Sequence, residues 1–223
     1  MFSLSRAIED FSIKRQEKRL SQKIEKDRLN ALPHAFGVPL EKLRELFATP
    51  LDEIQLSYPK VEHLKGLGLE AFLVFLNVDV NSFPVCFNLI RQGRSEISYN
   101  HFGIDGRHTL FNVSEEFCGR NVRLLTNDVD LVNSISKGRF GPPPSWIVWY
   151  ELGPYCSYTQ GNPEHWDNYV WSPYWESLSA GEKDAFIADW REKTKSYISD
   201  EEWVDWVYSI RKRDKGHWEG RDD

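Results

Sequence analysis

The chain contains only three cysteines, Cys86, Cys118 and Cys156, and none of them belongs to a CxxC pair. A sparse, odd set of cysteines argues against a disulfide-stabilised scaffold and fits a reducing compartment. No run of about 18 apolar residues occurs, so no membrane-spanning helix is expected. The first residues also have no apolar stretch of the kind found in secretion signals. We therefore expect a cytoplasmic protein without a membrane partner.

Glycine-rich phosphate-binding motifs are absent from the sequence. Neither GxxxxGK[ST] nor GxGxxG occurs, and the pair Gly66 and Gly68 precedes a predicted strand, the wrong order for a dinucleotide fold. The formal net charge of −6 argues against a general nucleic-acid binder, because such proteins cluster Lys and Arg to displace counterions from phosphates. We expect neither a cofactor nor a nucleic-acid partner.

Charge and aromatic side chains are unevenly distributed along the 223 residues. Residues 1–36 carry a net charge of +3, whereas residues 145–205 hold four basic and twelve acidic side chains. All nine tryptophans lie at or after Trp146, so the most acidic third of the chain is also the richest in indole. With 40% hydrophobic residues the chain can form a substantial packed core.

Two capping boxes mark helix starts near the C-terminus. Ser179 is followed three residues later by Glu182, and Ser199 is followed likewise by Glu202. Each pair satisfies free amide groups at a helix start, and each precedes an apolar pattern of helical period. The pattern predicts two amphipathic helices in this region.

The centre of the chain shows the short apolar and alternating runs typical of β-strands. The predicted strands are residues 72–78, 85–90, 96–102, 108–113, 122–125 and 146–150. Short helices are expected at residues 40–47 and 129–135. The fold class is therefore α+β, with a mostly antiparallel sheet over about residues 70–151. The N-terminal helices and the two capped helices are expected to pack against one face of it.

Two units are expected along the chain. Residues 1–36 form a charged N-terminal helix that can extend from the body, since its middle is polar on every side. Residues 37–223 form a single α+β domain with a long loop at residues 153–173, where Pro, Gly, Asn and Tyr are frequent.

A metal site is one hypothesis for the middle of the chain. His101, Asp105 and His108 offer three potential metal ligands within eight residues. The same residues flank a predicted hairpin turn at Asp105-Gly106, where the two histidines are simply neighbours across the strands. The second interpretation is favoured, and no metal is expected.

A hydrolytic site in the predicted loop is a second hypothesis. His165 lies between Glu164 and Asp167 in the predicted loop, and loops often carry general acid and base residues. No Ser, Cys or Thr nearby has a recognisable nucleophile context. An enzyme of the hydrolase class is therefore an alternative and not the first expectation.

The favoured function is protein binding through the C-terminal third. Aromatic side chains are common interface anchors, and acidic surfaces attract basic partners. The expected partner-binding residues are Glu164, Trp166, Asp167, Trp171, Tyr174, Trp175 and Glu176. We expect these indoles and carboxylates to lie together on the exterior, as in an immunity or antitoxin protein of bacteria that covers a basic nuclease toxin. A further alternative is an assembly subunit of phage or secretion machinery that docks through its N-terminal helix; the sequence does not give the oligomeric state.

Overall fold

The computed structural model describes residues 2–212 and residue 214, with side chains described from Arg15 onward. It confirms the α+β class. The strands are β1 (Lys60–His63), β2 (Phe72–Asp79), β3 (Ser95–Ser98), β4 (His101–Ile104), β5 (Arg107–Glu116) and β6 (Gly119–Thr126). They form one sheet in the order β1-β2-β6-β5-β4-β3, and every neighbouring pair is antiparallel.

Helices precede, interrupt and follow this sheet. They are α1 (Phe2–Phe36), α2 (Leu40–Leu46), α3 (Phe83–Arg91), α4 (Val129–Gly138), α5 (Ser145–Val148), α6 (Gly161–Trp166), α7 (Ser172–Ser177), α8 (Ala180–Thr194) and α9 (Asp200–Arg211). Single 3-10 turns occur at Lys65–Leu67 and Tyr150–Leu152, and a π-helical turn at Asp167–Trp171 joins α6 to α7. Within the described residues, no helix is both long enough and apolar enough to cross a membrane.

The sheet has an apolar core on each of its faces. Along β2, Phe72, Val74 and Leu76 point into a large core that also contains buried residues of α3, α4, α8 and α9. Leu73 and Phe75 alternate with them and pack on the other side, in a smaller core with residues of α1 and α2. The expectation that helices cover only one face is therefore wrong. A strand that is apolar on both faces needs cover on both.

Two predicted strands are helical in the structure. Residues 85–90 lie in α3, and residues 146–150 lie in α5 and the 3-10 turn after it, so the sheet spans residues 60–126 and not 70–151. A short apolar run does not distinguish a buried strand from a buried helix by itself. Pro84 stands in the first turn of α3, a position that favours a helix start.

The predicted loop at residues 153–173 is also wrong over its second half. Residues from Gly161 onward form α6, the π turn and the start of α7. Pro163 and Pro173 suggested loop, yet both lie in first helical turns, where a missing N–H costs nothing.

Both capping boxes are confirmed. The Ser179 hydroxyl accepts the Glu182 N–H at 3.3 Å, and the Glu182 carboxylate accepts the Ser179 N–H at 2.8 Å. Ser199 and Glu202 repeat the arrangement at α9. The predicted apolar stripes turn inward: Trp190 of α8 and Trp203, Trp206 and Ile210 of α9 are buried in the large core.

Between Arg15 and Phe36, where the side chains of α1 are described, the C-terminal end of the helix packs against the body. Leu29, Leu32 and Phe36 belong to the smaller core, and the Ala35 carbonyl accepts a hydrogen bond of 2.8 Å from the Asn112 side chain on β5. Residues 15–28, which we call the arm, are exposed at every position. The expected charged helix is thus present over the described part of α1.

Candidate functional site

The tryptophans assigned to a partner-binding surface are inside the protein. Trp166 is completely buried, and Trp171, Tyr174 and Trp175 are between 4% and 6% exposed. Asp167 is buried as well. The expectation that these side chains form an exterior surface is wrong, because their apolar area contributes to the large core. Of the seven residues only Glu164 and Glu176 are exposed.

A π-helical turn brings the three indoles together. Trp166 and Trp171 are five residues apart, and Trp175 follows after four more. In a regular α-helix, positions five apart point about 140° away from each other. The wider turn at Asp167–Trp171 places them on one side instead. Trp166 stacks on Trp171 with ring centroids 5.5 Å apart, and Trp171 stacks on Trp175 at 5.3 Å.

A small cavity lies beside these indoles. It measures about 60 Å³, and Asp167, Glu176 and the C-terminal end of α9 contribute to its lining. A space of that size has room for a few water molecules and not for a drug-sized ligand. The cavity thus brings together five of the seven expected residues without forming a surface that a protein partner can cover.

Trp175 is further fixed by two cationic side chains. Lys183 and Arg211 lie over its ring, at 5.0 Å and 5.6 Å from the centroid. Asp214 accepts hydrogen bonds from the Trp175 indole, Lys183 and Arg211. Burial by itself would raise the pKa of Asp214, but the hydrogen bonds from Lys183 and Trp175 hold that pKa below its ordinary value. The charges in this network are satisfied locally, so they stabilise the fold.

The proposed hydrolytic residues are not assembled into a site. His165 is exposed, and its ring contacts Tyr169 and Phe117. Asp167 is buried and lines the cavity, whose described lining does not include His165. Glu164 is exposed, and no contact between it and His165 supports a catalytic pair among the described residues. The hydrolase alternative gains no support from these positions.

The two histidines of the metal hypothesis do meet. His101 Nε2 and His108 Nδ1 are 3.2 Å apart on the adjacent strands β4 and β5. Asp105 occupies the hairpin turn with Gly106, and both have positive φ. Among the described residues, no group of three His, Cys, Asp or Glu side chains is arranged to hold a metal. The cross-strand interpretation therefore describes the pair, and burial lowers the pKa of both rings.

A different surface combines exposed aromatic and acidic side chains. We call it the α9 face. It consists of the exposed residues Tyr150, Tyr155, Glu201, Glu202, Val204 and Tyr208 and the half-buried Asp205. The four positions 201, 204, 205 and 208 follow each other at helical spacing, on the side of α9 opposite its buried tryptophans. Reading this second stripe alongside the first could have located the face from the sequence.

Contacts across the α9 face hold its tyrosines in place. The Tyr155 hydroxyl donates a 2.6 Å hydrogen bond to Asp205, and the Tyr150 hydroxyl lies 3.4 Å from Glu202. The ring of Tyr150 also stacks on buried Trp206, with centroids 6.5 Å apart. The aromatic rings are therefore exposed but preorganised, with carboxylates at their hydroxyl groups.

One carboxylate of the α9 face, that of Glu202, has a pKa below its ordinary value. Hydrogen bonds from Ser199 lower the pKa of Glu202, and the hydrogen bond to Asp205 raises the pKa of Tyr155. Three of the seven residues are acidic and none is basic. The face thus presents negative charge beside rigid aromatic rings, a combination suited to a cationic protein surface. No family model, curated protein or solved structure matches the chain.

Proposed function

We propose that the protein is a non-catalytic binding protein whose α9 face receives a basic protein partner. The observation that carries this proposal is the placement of exposed tyrosines in direct hydrogen bonds with carboxylates on one helix side. Tyrosine contributes large contact area at low entropic cost, and the carboxylates steer a cationic surface toward it.

The partner class that suits this face best is a nuclease toxin, as expected of a cytoplasmic immunity protein from bacteria. Nucleases keep a basic surface in order to hold phosphate groups. An acidic face that covers such a surface competes directly with the nucleic acid. Inhibition of this kind requires neither a cofactor nor a catalytic residue of the inhibitor.

The direct test is a binding titration against catalytically inactive nuclease toxin domains with a pI above about 9. The domain encoded beside this chain's gene is the first candidate. We expect binding that weakens as the salt concentration rises from about 50 mM to about 300 mM, because exposed charges are screened. Inhibition of the active nuclease should occur at the same protein ratio as binding.

Single substitutions then locate the contact. Tyr155→Ala and Tyr208→Ala should each weaken binding by about tenfold or more, the effect expected of an aromatic anchor. Tyr99→Ala is the matched control, since Tyr99 is a highly exposed tyrosine on the distant β3–β4 turn. Equal affinity of all three variants and the unmodified protein would show that the partner binds elsewhere.

A further inference from the structure

The arm carries a stripe of positive charge on an otherwise acidic protein. Residues 15–28 contain six basic and three acidic side chains, whereas the whole chain has a net charge of −6. Five of the basic residues fall within less than half of the helix circumference. They are Arg15, Lys18, Arg19, Lys23 and Lys26. Opposite this stripe lie the exposed side chains of Leu20 and Ile24.

Among the described residues, the ion-pair contact between the arm and the body is confined to one end of the arm. Its ion pair between Arg28 and Glu62 is at the end that meets the sheet. None of the five stripe residues forms an ion pair with a side chain in the described part of the chain. A helix of about fourteen residues without tertiary packing is only marginally stable in water. A docking partner would therefore stabilise it considerably.

The α9 face is complementary to this stripe, but not within one molecule. The end of α1 packs on the sheet face that contains the smaller core, whereas α9 belongs to the larger core on the opposite face. The arm continues α1 without a break, so it cannot fold back around the sheet and remain helical. An arm can reach this face only on another copy.

We propose that the arm of one copy docks on the α9 face of a second copy, so that the chain assembles head to tail. The lengths agree, because fourteen helical residues span about 21 Å and the twelve of α9 about 18 Å. The stripe then lies beside Glu201, Glu202 and Asp205, and the arm's aliphatic stems cover the tyrosine rings. Such a contact is heterologous and leaves a free arm and a free face at the ends, so it grows into a ring or a filament.

This inference rests on the same face as the proposed function. A second copy and a foreign basic partner then compete for one surface, and the more strongly basic of the two displaces the other. Self-assembly would keep the α9 face covered until such a partner arrives.

The test begins with sedimentation velocity of the complete protein over a range of concentrations. We expect species larger than the monomer at about 50 mM salt, and their loss at about 500 mM, where charges more than a few ångströms apart are screened. A protein that stays monomeric at low salt, up to submillimolar concentration, contradicts the proposal.

Charge reversal identifies the two contacting surfaces. The arm variant carries Lys18→Glu and Arg19→Glu, and the face variant carries Glu201→Lys and Asp205→Lys. Each variant should be monomeric alone, because its arm and its face then have the same sign of charge. Mixing the two should restore assembly, since each arm again meets a face of opposite charge.

The matched control changes the net charge by the same amount as the face variant, but at a different helix. Asp189→Lys and Glu192→Lys alter two exposed positions of α8 and should leave assembly unchanged. Assembly that survives in the face variant indicates contact between arms and overturns the proposal. A mixture that remains monomeric overturns it as well.

Two further measurements separate this inference from the proposed function. If the arm variant binds the nuclease domain but does not assemble with the face variant, the self-assembly proposal fails and the proposed function stands. If the arm variant binds neither the nuclease domain nor the face variant, both the self-assembly proposal and the proposed function fail. Tight binding of a duplex DNA or RNA probe by the unmodified protein, lost in the arm variant without any self-assembly, assigns the arm to nucleic acid instead.

Discussion

Asp128 joins three segments of the chain through a single buried carboxylate. It accepts hydrogen bonds from Arg94 at 2.6 Å and 2.9 Å and lies 3.3 Å from Arg107. The same carboxylate caps α4 by accepting the Leu131 N–H at 3.1 Å. Arg94 is also largely buried, and although backbone carbonyls accept hydrogen bonds from it, Asp128 is the acidic side chain paired with it in the described part of the chain.

Asp128→Ala should therefore reduce the free energy of unfolding by about 3–5 kcal/mol, the cost of leaving a buried charge without its partner. The matched control is Asp130→Ala. Asp130 pairs with the same Arg107, but its side chain is 80% exposed, so a loss of at most about 1 kcal/mol is expected. Urea unfolding of the three proteins measures both values, and similar losses in the two variants would contradict the central role of Asp128.

The His101 and His108 pair predicts a pH dependence of stability. Burial lowers the pKa of both rings, and Lys42 of α2 lowers each of them further. The unfolded chain therefore takes up protons at higher pH than the folded one. Stability should be complete above the ordinary histidine value of 6.5 and should fall as the pH drops through and below it.

The measurement is the urea midpoint at about pH 7.5 and about pH 5.5. His108→Gln should reduce the difference between the two midpoints, whereas His165→Gln, at an exposed histidine, should leave it unchanged. An undiminished difference in His108→Gln would show that other groups cause the pH dependence.

At the scale of elements, the features that depend on neighbouring residues were predicted correctly. The features that depend on packing between distant segments were not. The capping boxes at Ser179 and Ser199 and the turn at Asp105 depend on residues a few positions apart, and all three are confirmed. The strand predicted at residues 85–90 was wrong because this apolar run forms a helix that packs against β2 and α4. Only the helical part of the α9 face could be predicted from the sequence, because Tyr150 and Tyr155 lie about fifty residues before the carboxylates that they contact.

The two capping boxes give a prediction for single elements. Ser179→Ala and Ser199→Ala should each cost about 1 kcal/mol of unfolding free energy, while Ser196→Ala, at an exposed serine outside the boxes, should cost almost nothing. Hydrogen bonds from Ser179 and Ser199 lower the pKa of Glu182 and Glu202 respectively. The carboxylate contribution is therefore present above the ordinary value of 4.5 and is lost as the pH falls below it.

Denaturant titrations near neutral pH and near pH 3 test both statements, and the difference between each variant and the unmodified protein should shrink at the lower pH. A difference that stays constant would mean that the serine hydroxyl alone is responsible.

For the whole molecule, the two cores on one sheet predict a single cooperative unfolding transition. Deleting residues 1–28 removes the arm and the exposed ion pair of Arg28, so stability should change by at most about 1 kcal/mol. Deleting residues 1–36 also removes Leu29, Leu32 and Phe36, which cover the smaller core, and should destabilise the protein by several kcal/mol.

Thermal unfolding of both deletion variants distinguishes these cases. A large loss of stability in the shorter deletion would show that the arm belongs to the folded body and does not extend from it. The same experiment tests whether residues 37–223 form one domain without α1.

The stack formed by Trp166, Trp171 and Trp175 has an optical consequence. Electronic transitions of neighbouring indoles couple, and they give a split circular dichroism band of opposite signs when their transition dipoles are twisted relative to each other. The sign and amplitude of that band depend on this twist within the nearly parallel ring planes, whose interplanar angles are 15° and 18°. Unwinding the π turn should remove the part of the band that comes from this stack, while the part from Trp146 and Trp203, whose ring centroids are 4.8 Å apart, and the helical signal persist.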